Sequence, residues 1–189
     1  AFLFDVTAET VVAGNHLGDF RIEGDAGLHF RLGKDTVRVG IEGYMKNEEP
    51  SFYYRRYHAQ HYWWDNDLHK QFSTRLGGSI GIDRWHTRLY AGVENIKNYT
   101  YLAGTPYMAP ASIASTTPIS LSSITARQYT KNLQVLSATL NQDFRIGIIH
   151  WDNEATVQYS SNQDVLPLPL LNLYSNLYLK FTYAKVLRI

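Results

Sequence analysis

The sequence predicts an all-β fold, an antiparallel up-and-down transmembrane β-barrel with about eight long strands in view. Three observations predict it. Apolar and polar residues alternate with a period of two along most of the 189 residues. The alternating stretches run to about 10–14 residues, whereas soluble strands average about 5–6. The connections alternate between tight turns and long segments, as on the two rims of a membrane barrel.

The first strand, residues 1–12, sets Phe2, Phe4, Val6, Ala8 and Val12 against Asp5, Thr7 and Glu9, and a turn follows at Gly14–Gly18. The second reads DFRIEGDAGLHFRL from Asp19 to Leu32. One face carries Phe20, Ile22, Gly24, Ala26, Leu28, Phe30 and Leu32; the other carries Asp19, Arg21, Glu23, Asp25, Gly27, His29 and Arg31. A tight turn begins at Gly33. The third strand puts Val37, Val39, Ile41 and Met45 against Arg38, Glu42, Tyr44 and Lys46, and a long aromatic segment runs from Asn47 to Asp67. The fourth alternates Phe72, Thr74, Leu76, Ile80 and Ile82 with Gln71, Ser73, Arg75, Ser79 and Asp83. A turn near Asp83–Arg84 leads to the fifth, with Leu89, Ala91 and Val93 opposite Arg88, Tyr90 and Glu94. A second long segment, small and polar, is expected from Ala103 to Thr125. The sixth strand sets Leu136, Ala138 and Leu140 against Ser137, Thr139, Asn141 and Asp143, with a turn near Arg145–Gly147. The seventh sets Ile149, Trp151, Ala155, Val157 and Tyr159 against His150, Asp152, Glu154, Thr156 and Gln158. A loop over Ser161–Pro169 precedes the eighth, with Leu171, Leu173, Leu177, Leu179 and Phe181 opposite Asn172, Tyr174, Asn176, Lys180 and Thr182.

Composition narrows the class. The length suits one domain over residues 1–189. Eighteen basic and 17 acidic residues leave the charge nearly balanced, which gives no sign of a nucleic-acid partner. There is no cysteine, so neither disulfides nor thiolate metal sites arise. No apolar run reaches the roughly 18 residues of a transmembrane helix, which says nothing against a barrel. The chain opens in strand register without Met and closes AKVLRI, the start of a further strand, so both ends are expected to be cut from a longer protein.

Alternation alone does not say which face is wet. A soluble lipocalin-like barrel turns its apolar rows inward around a small ligand; a membrane barrel turns them to lipid. Strand length, loop asymmetry and apolar rows that mix Leu, Ile and Val with Gly, Ala and Thr favour lipid. So do aromatic residues crowding the strand ends, with Trp63, Trp64, Trp85 and Trp151 expected at the membrane interface.

Three blocks carry a family resemblance. They are EEPSFYYRRYHAQHYWWDNDLHKQFSTRLGG (Glu48–Gly78), VENIKNYTYL (Val93–Leu102) and VQYSSNQDVLPLPLLNLYSNLYLKF (Val157–Phe181). In content, order and spacing they resemble the putative-porin family of Bacteroidota outer membranes. Gln60 departs from the Asn expected before the His, and Ala109–Ser123 does not align. Members are longer and end on an aromatic residue, so the resemblance implies an internal portion of a larger outer-membrane barrel. It also implies contact with outer-membrane lipid, passage of small polar solutes, and other outer-membrane subunits as partners.

On that reading the functional residues are the charges of the polar rows. Arg21, Glu23, Asp25, Arg31, Arg38, Glu42, Lys46, Arg75, Arg88 and Glu94 are expected to line the lumen, as a selective wall or as a paired network bracing a narrow one. Both signs occur, so no strong ion preference follows. His58, His61, Asp65 and Asp67 are ordinary metal-ligand types, but their spacing fits no strong motif and alternation separates the two His; a loop-and-rim role is expected. Leu166–Leu171 is apolar for a loop and is expected at the lipid interface or against a partner subunit. There is no nucleophile elbow, phosphate loop or triad, so neither an enzyme nor a cofactor is expected. Three functions stand: passive diffusion of small polar solutes, an accessory barrel with an occluded lumen, and a soluble lipocalin-like or lectin-like protein.

Overall fold

The computed structural model describes residues 2–14, 16–33, 35–60, 62–107, 121–183 and 187–188. Its strands are β1 (Phe2–Thr10), β2 (Phe20–Leu32), β3 (Asp35–Glu48), β4 (Arg56–His58), β5 (Trp63–Asp65), β6 (Gln71–Ile82), β7 (Thr87–Tyr107), β8 (Leu121–Ile146), β9 (Ile149–Ser160), β10 (Leu171–Leu179), β11 (Thr182–Tyr183) and β12 (Leu187–Arg188). One short helix, α1 (Phe52–Arg55), precedes β4. Eight strands form a single antiparallel sheet in the order β1-β2-β3-β6-β7-β8-β9-β10, while β4–β5 and β11–β12 are small hairpins. The eight strands expected from alternation are thus all present.

Turn chemistry fixes the register. Leu32 pairs with Asp35 and Ile146 with Ile149, which leaves two-residue connections. Each begins on a glycine in the left-handed region, Gly33 at φ 66° and Gly147 at φ 61°. Ile82 pairs with Thr87 across the turn Asp83–His86. These three tight turns share one rim. The connections at the other rim are longer, as the sequence led one to expect.

Because register holds from strand to strand, side-chain parity holds too. Phe2, Leu28, Val39, Ile80, Leu89, Leu140, Ala155 and Leu173 form one line across all eight strands. Every member is apolar. The face they share is bare: Leu76 is 61% exposed, Ile80 51%, Leu136 51% and Leu173 68%. Soluble monomers rarely leave so large an apolar surface uncovered. The 12 residues of β9, at about 3.3 Å each and tilted about 40°, span roughly 30 Å, near the height of a bilayer's apolar core.

Four expectations need correction. The sheet is open, not closed into a barrel: among the described residues β1 pairs only with β2 and β10 only with β9. The segment from Ala103 to Thr125 is not wholly a loop. β7 and β8 run to 21 and 26 residues and pair as far as Tyr107 with Leu121, projecting beyond a bilayer's thickness on the long-loop side. The ladder slips once there, between Lys97 and Tyr99, where Asn98 takes a left-handed φ of 58°. Whether this segment folds inward rests on residues 108–120, outside the described residues. Third, the aromatic segment after β3 is a built excursion of α1 and the β4–β5 hairpin. The Asn66 side-chain amide donates to the Ala126 carbonyl of β8 at 3.2 Å, and Gln128 of β8 donates to the His69 carbonyl at 2.7 Å. Fourth, part of the apolar loop Leu166–Leu171 packs on the protein's own sheet, since Leu166 joins Val165 against Ile96 and Leu133.

Depth on the bare face predicts cost. Leu140→Arg, in the middle of the β8 apolar row, should destabilise the lipid-embedded full-length protein by about 2–4 kcal/mol. Asn132→Arg, on the same face but opposite Lys97 near the long-loop rim, should cost about 0–1 kcal/mol. Equilibrium unfolding in vesicles measures both, and equal costs would contradict the placement of the band.

Candidate functional site

The opposite face carries the chemistry. Thr7, Glu23, Tyr44, Arg75 and Glu94 lie on one line across β1, β2, β3, β6 and β7. The next line toward the tight turns begins Asp5, Asp25, Glu42, and two lines further come His29, Arg38, Gly81 and Arg88. Arg21 pairs with Lys46 toward the long-loop rim, and Arg31 with Thr36 at the tight-turn rim. The structure therefore brings Arg21, Glu23, Asp25, Arg31, Arg38, Glu42, Lys46, Arg75, Arg88 and Glu94 to one face.

At its centre is a half-buried network. The Tyr44 hydroxyl donates to Glu94 Oε1 at 2.6 Å, reaching over β6 from β3 to β7. The Arg75 guanidinium stands 3.7 Å from Glu94 Oε2 and donates to the Tyr90 hydroxyl at 2.9 and 3.1 Å. Lys46 Nζ sits 4.9 Å over the Tyr44 ring. Tyr90 lies flat on the sheet because Gly77 and Gly92 leave it room; a Cβ on Gly77 would overlap its hydroxyl, and one on Gly92 would meet it at 2.7 Å. A charge-assisted bond like Tyr44–Glu94 contributes about 1.5–3 kcal/mol. The Arg21–Glu23 pair, 2.7 Å from Nε, is open to solvent and contributes little to stability. Tyr44 and Tyr90 sit in the polar rows but were not among the charges expected to act. Their signal was a tyrosine beside glycines on a charged row.

Two further regions flank this centre. Asp5, Asp25 and Glu42 stand directly opposite one another with no ion-pair partner among the described residues. Like charges so placed repel unless water and counter-ions screen them. Toward the tight turns, a recess of about 690 Å³ is lined by His29, Arg38, Arg88, Asn141, Asp143 and Arg145. Arg38 bonds Asp83, and Arg145 lies 3.6 Å from Asp143. Arg88 has no ion-pair partner among the described residues.

At the long-loop rim a clip ties the β1–β2 and β3–β6 connections together. Lys70 Nζ lies 2.7 Å from Asp19 Oδ1, the Glu49 N–H donates to Asp19 Oδ2 at 3.2 Å, and Arg55 holds Glu49 Oε2 at 2.7 Å. Burial pushes the Asp19 carboxyl up, but the Lys70 ammonium, the Glu49 N–H and the His16 ring together hold it below the usual carboxylate range.

The tryptophans divide. Trp85, in the Asp83–His86 turn, and Trp151, packed 5.4 Å from Phe144, lie at the tight-turn rim and are exposed. Trp63 is exposed on the excursion. Trp64 departs from its expected interface position: it is 8% exposed, stacked on Tyr57 at 4.8 Å, with its indole N–H donating to the Tyr53 carbonyl at 3.0 Å. It packs the excursion instead of meeting lipid. His58 lies on the Trp63 ring and Asp65 binds Arg56 at 3.1 Å, so both serve the β4–β5 hairpin; His61 lies outside the described residues.

Two variants test these contacts. Gly77→Ala should displace Tyr90, break its bonds to Arg75 and cost about 1–3 kcal/mol; Tyr90→Ser in the same chain should relieve most of that loss in a thermal unfolding assay, and no relief would contradict the overlap. Because the Asp19 carboxyl titrates lower when folded than when unfolded, its stabilisation is complete above the ordinary carboxylate range. It is lost as pH falls through the lower folded value. Lys70→Met should therefore move acid opening of the clip, followed by amide exchange at Leu17–Asp19, to higher pH. An unchanged midpoint would contradict it.

Comparison with known proteins places the geometry. The family described as Putative porin matches residues 1–189, the whole chain. No curated protein and no solved structure matches.

Proposed function

The chain belongs to the putative-porin family, and from that premise we propose that it forms wall of an outer-membrane pore through which small polar solutes diffuse passively. At the coarse level it is a porin-like outer-membrane protein. The observation that carries the finer reading is the division of the sheet: one uncovered apolar face, and one face bearing all ten charges named above. The apolar face meets lipid, the charged face meets a water-filled lumen, and the recess beside Arg38 and Arg88 lies along the solute's path. The unpaired edges of β1 and β10 are completed by further strands, since a bilayer does not tolerate open backbone edges.

A second reading is an accessory barrel with an occluded lumen. It is favoured by burial on the polar face at the long-loop end, where Ser73 and Leu133 are fully buried and Ser160 is 1% exposed. The lipocalin-like alternative needs a covered apolar face and is disfavoured by the bare one. Full-length protein in planar bilayers separates the two membrane readings. Stepwise ionic current is expected from a diffusion pore. Folded, inserted protein that carries no current would overturn that reading in favour of the occluded one.

A further inference from the structure

Among the described residues the polar face carries an apolar island at its long-loop end. Ile96 of β7 pairs directly with Leu133 of β8, on the same line as Lys46 and Ser73, at the long-loop end. Both are buried, Ile96 at 6% and Leu133 at 0% exposure, although the opposite, apolar face of the same strands is bare. What covers them is the β9–β10 connection. Val165, 8% exposed, forms a cluster with them, and Leu166, Tyr99, Tyr101 and Tyr129 pack around it.

The connection is built to reach that place. Asn162 Oδ1 accepts the backbone N–H of Asp164 at 3.1 Å and of Val165 at 3.3 Å, and the Asn162 carbonyl accepts that of Leu166 at 3.0 Å. Gln163 Oε1 accepts the N–H of Leu168 at 3.1 Å. At its root Ser161 donates to the Gln134 carbonyl and accepts the Gln134 N–H, both at 2.9 Å. A loop folded by its own side chains delivers one apolar residue onto the only apolar pair of that line. The excursion between β3 and β6 leans over the same end of the same face, where Lys46, Glu48, Pro50, Tyr54 and Thr100 enclose a shared recess.

We propose that the β9–β10 connection is an inward-folded cap, seated by Val165 on Ile96 and Leu133, that narrows the passage at the long-loop rim. This rests on the polar face being a pore wall. Burying three apolar side chains where water would otherwise reach them holds the cap down. Exchanging Val165 for a polar residue removes that attraction without touching the charged face.

The test uses the full-length protein in planar bilayers. Val165→Asn should shift the single-channel conductance upward, whereas Leu168→Asn, on the same loop outside the cluster, should leave it at the wild-type level. These 189 residues hold no cysteine, and in full-length protein carrying no other cysteine an Ile96→Cys, Val165→Cys pair reports the contact independently. Mild oxidation should form the disulfide in the folded protein, and the oxidised pair should conduct no more than wild type. A conducting wild type with an identical Val165→Asn variant would overturn the cap alone, as would a pair that does not cross-link. A silent wild type with a conducting Val165→Asn variant would support a cap that closes fully. Silence from every form would overturn the pore reading, and the cap with it. If Val165→Asn does not fold, the cysteine pair decides: conductance that rises on reduction supports the cap, and conductance indifferent to the disulfide overturns it.

Discussion

The backbone ladder from β1 to β10 is what the rest of the structure depends on. In an antiparallel sheet a slip of one residue sends every side chain of a strand to the other face. Here the ladder runs with one slip, the bulge beside Asn98, which falls at the long-loop end of the strands, level with the start of β6. Glycines in the left-handed region at Gly33 and Gly147 set the tight turns that start the β2–β3 and β8–β9 registers. The division into an apolar face and a charged face follows from that ladder and not from any single contact.

The two faces then obey different physics. On the apolar face depth matters, because a charge costs most at mid-bilayer and little at the rim. On the charged face solvation matters. Asp5, Asp25 and Glu42 can stand side by side only in water, while Tyr44, Glu94, Arg75 and Tyr90 form a braced network that stiffens the wall between β3 and β7. The long-loop rim adds a third regime, in which loops fold back over the charged face and bury its few apolar residues.

Most of this division was legible in the sequence. The alternation from Asp19 to Leu32 predicts β2 to within one residue at its start, and the ten charges assigned to one row do share a face. Alternation is a local signal that needs only parity to be read correctly. What it does not carry is which distant segment covers a residue. The Val165 contact with Leu133 and the docking of Asn66 on β8 join segments far apart in the chain, and the burial of Trp64 against Tyr53 and Tyr57 depends on a helix and hairpin that alternation does not reveal. The length of β7 and β8 was missed for another reason: small and polar sequence over Ala103–Thr125 reads as loop, yet its two ends, Ala103–Tyr107 and Leu121–Thr125, pair with each other. The open edges of β1 and β10 are likewise invisible to parity.

The inside–outside assignment is the central claim, and adjacent residues of β6 test it most directly. In full-length protein carrying no other cysteine and embedded in vesicles, Ser79→Cys and Ile80→Cys variants can each be labelled with a fluorescent thiol reagent. The account predicts that a label at position 79 is quenched by a water-soluble quencher and one at position 80 by a quencher attached to lipid chains. The reverse pattern, or quenching from water at both positions, would contradict it.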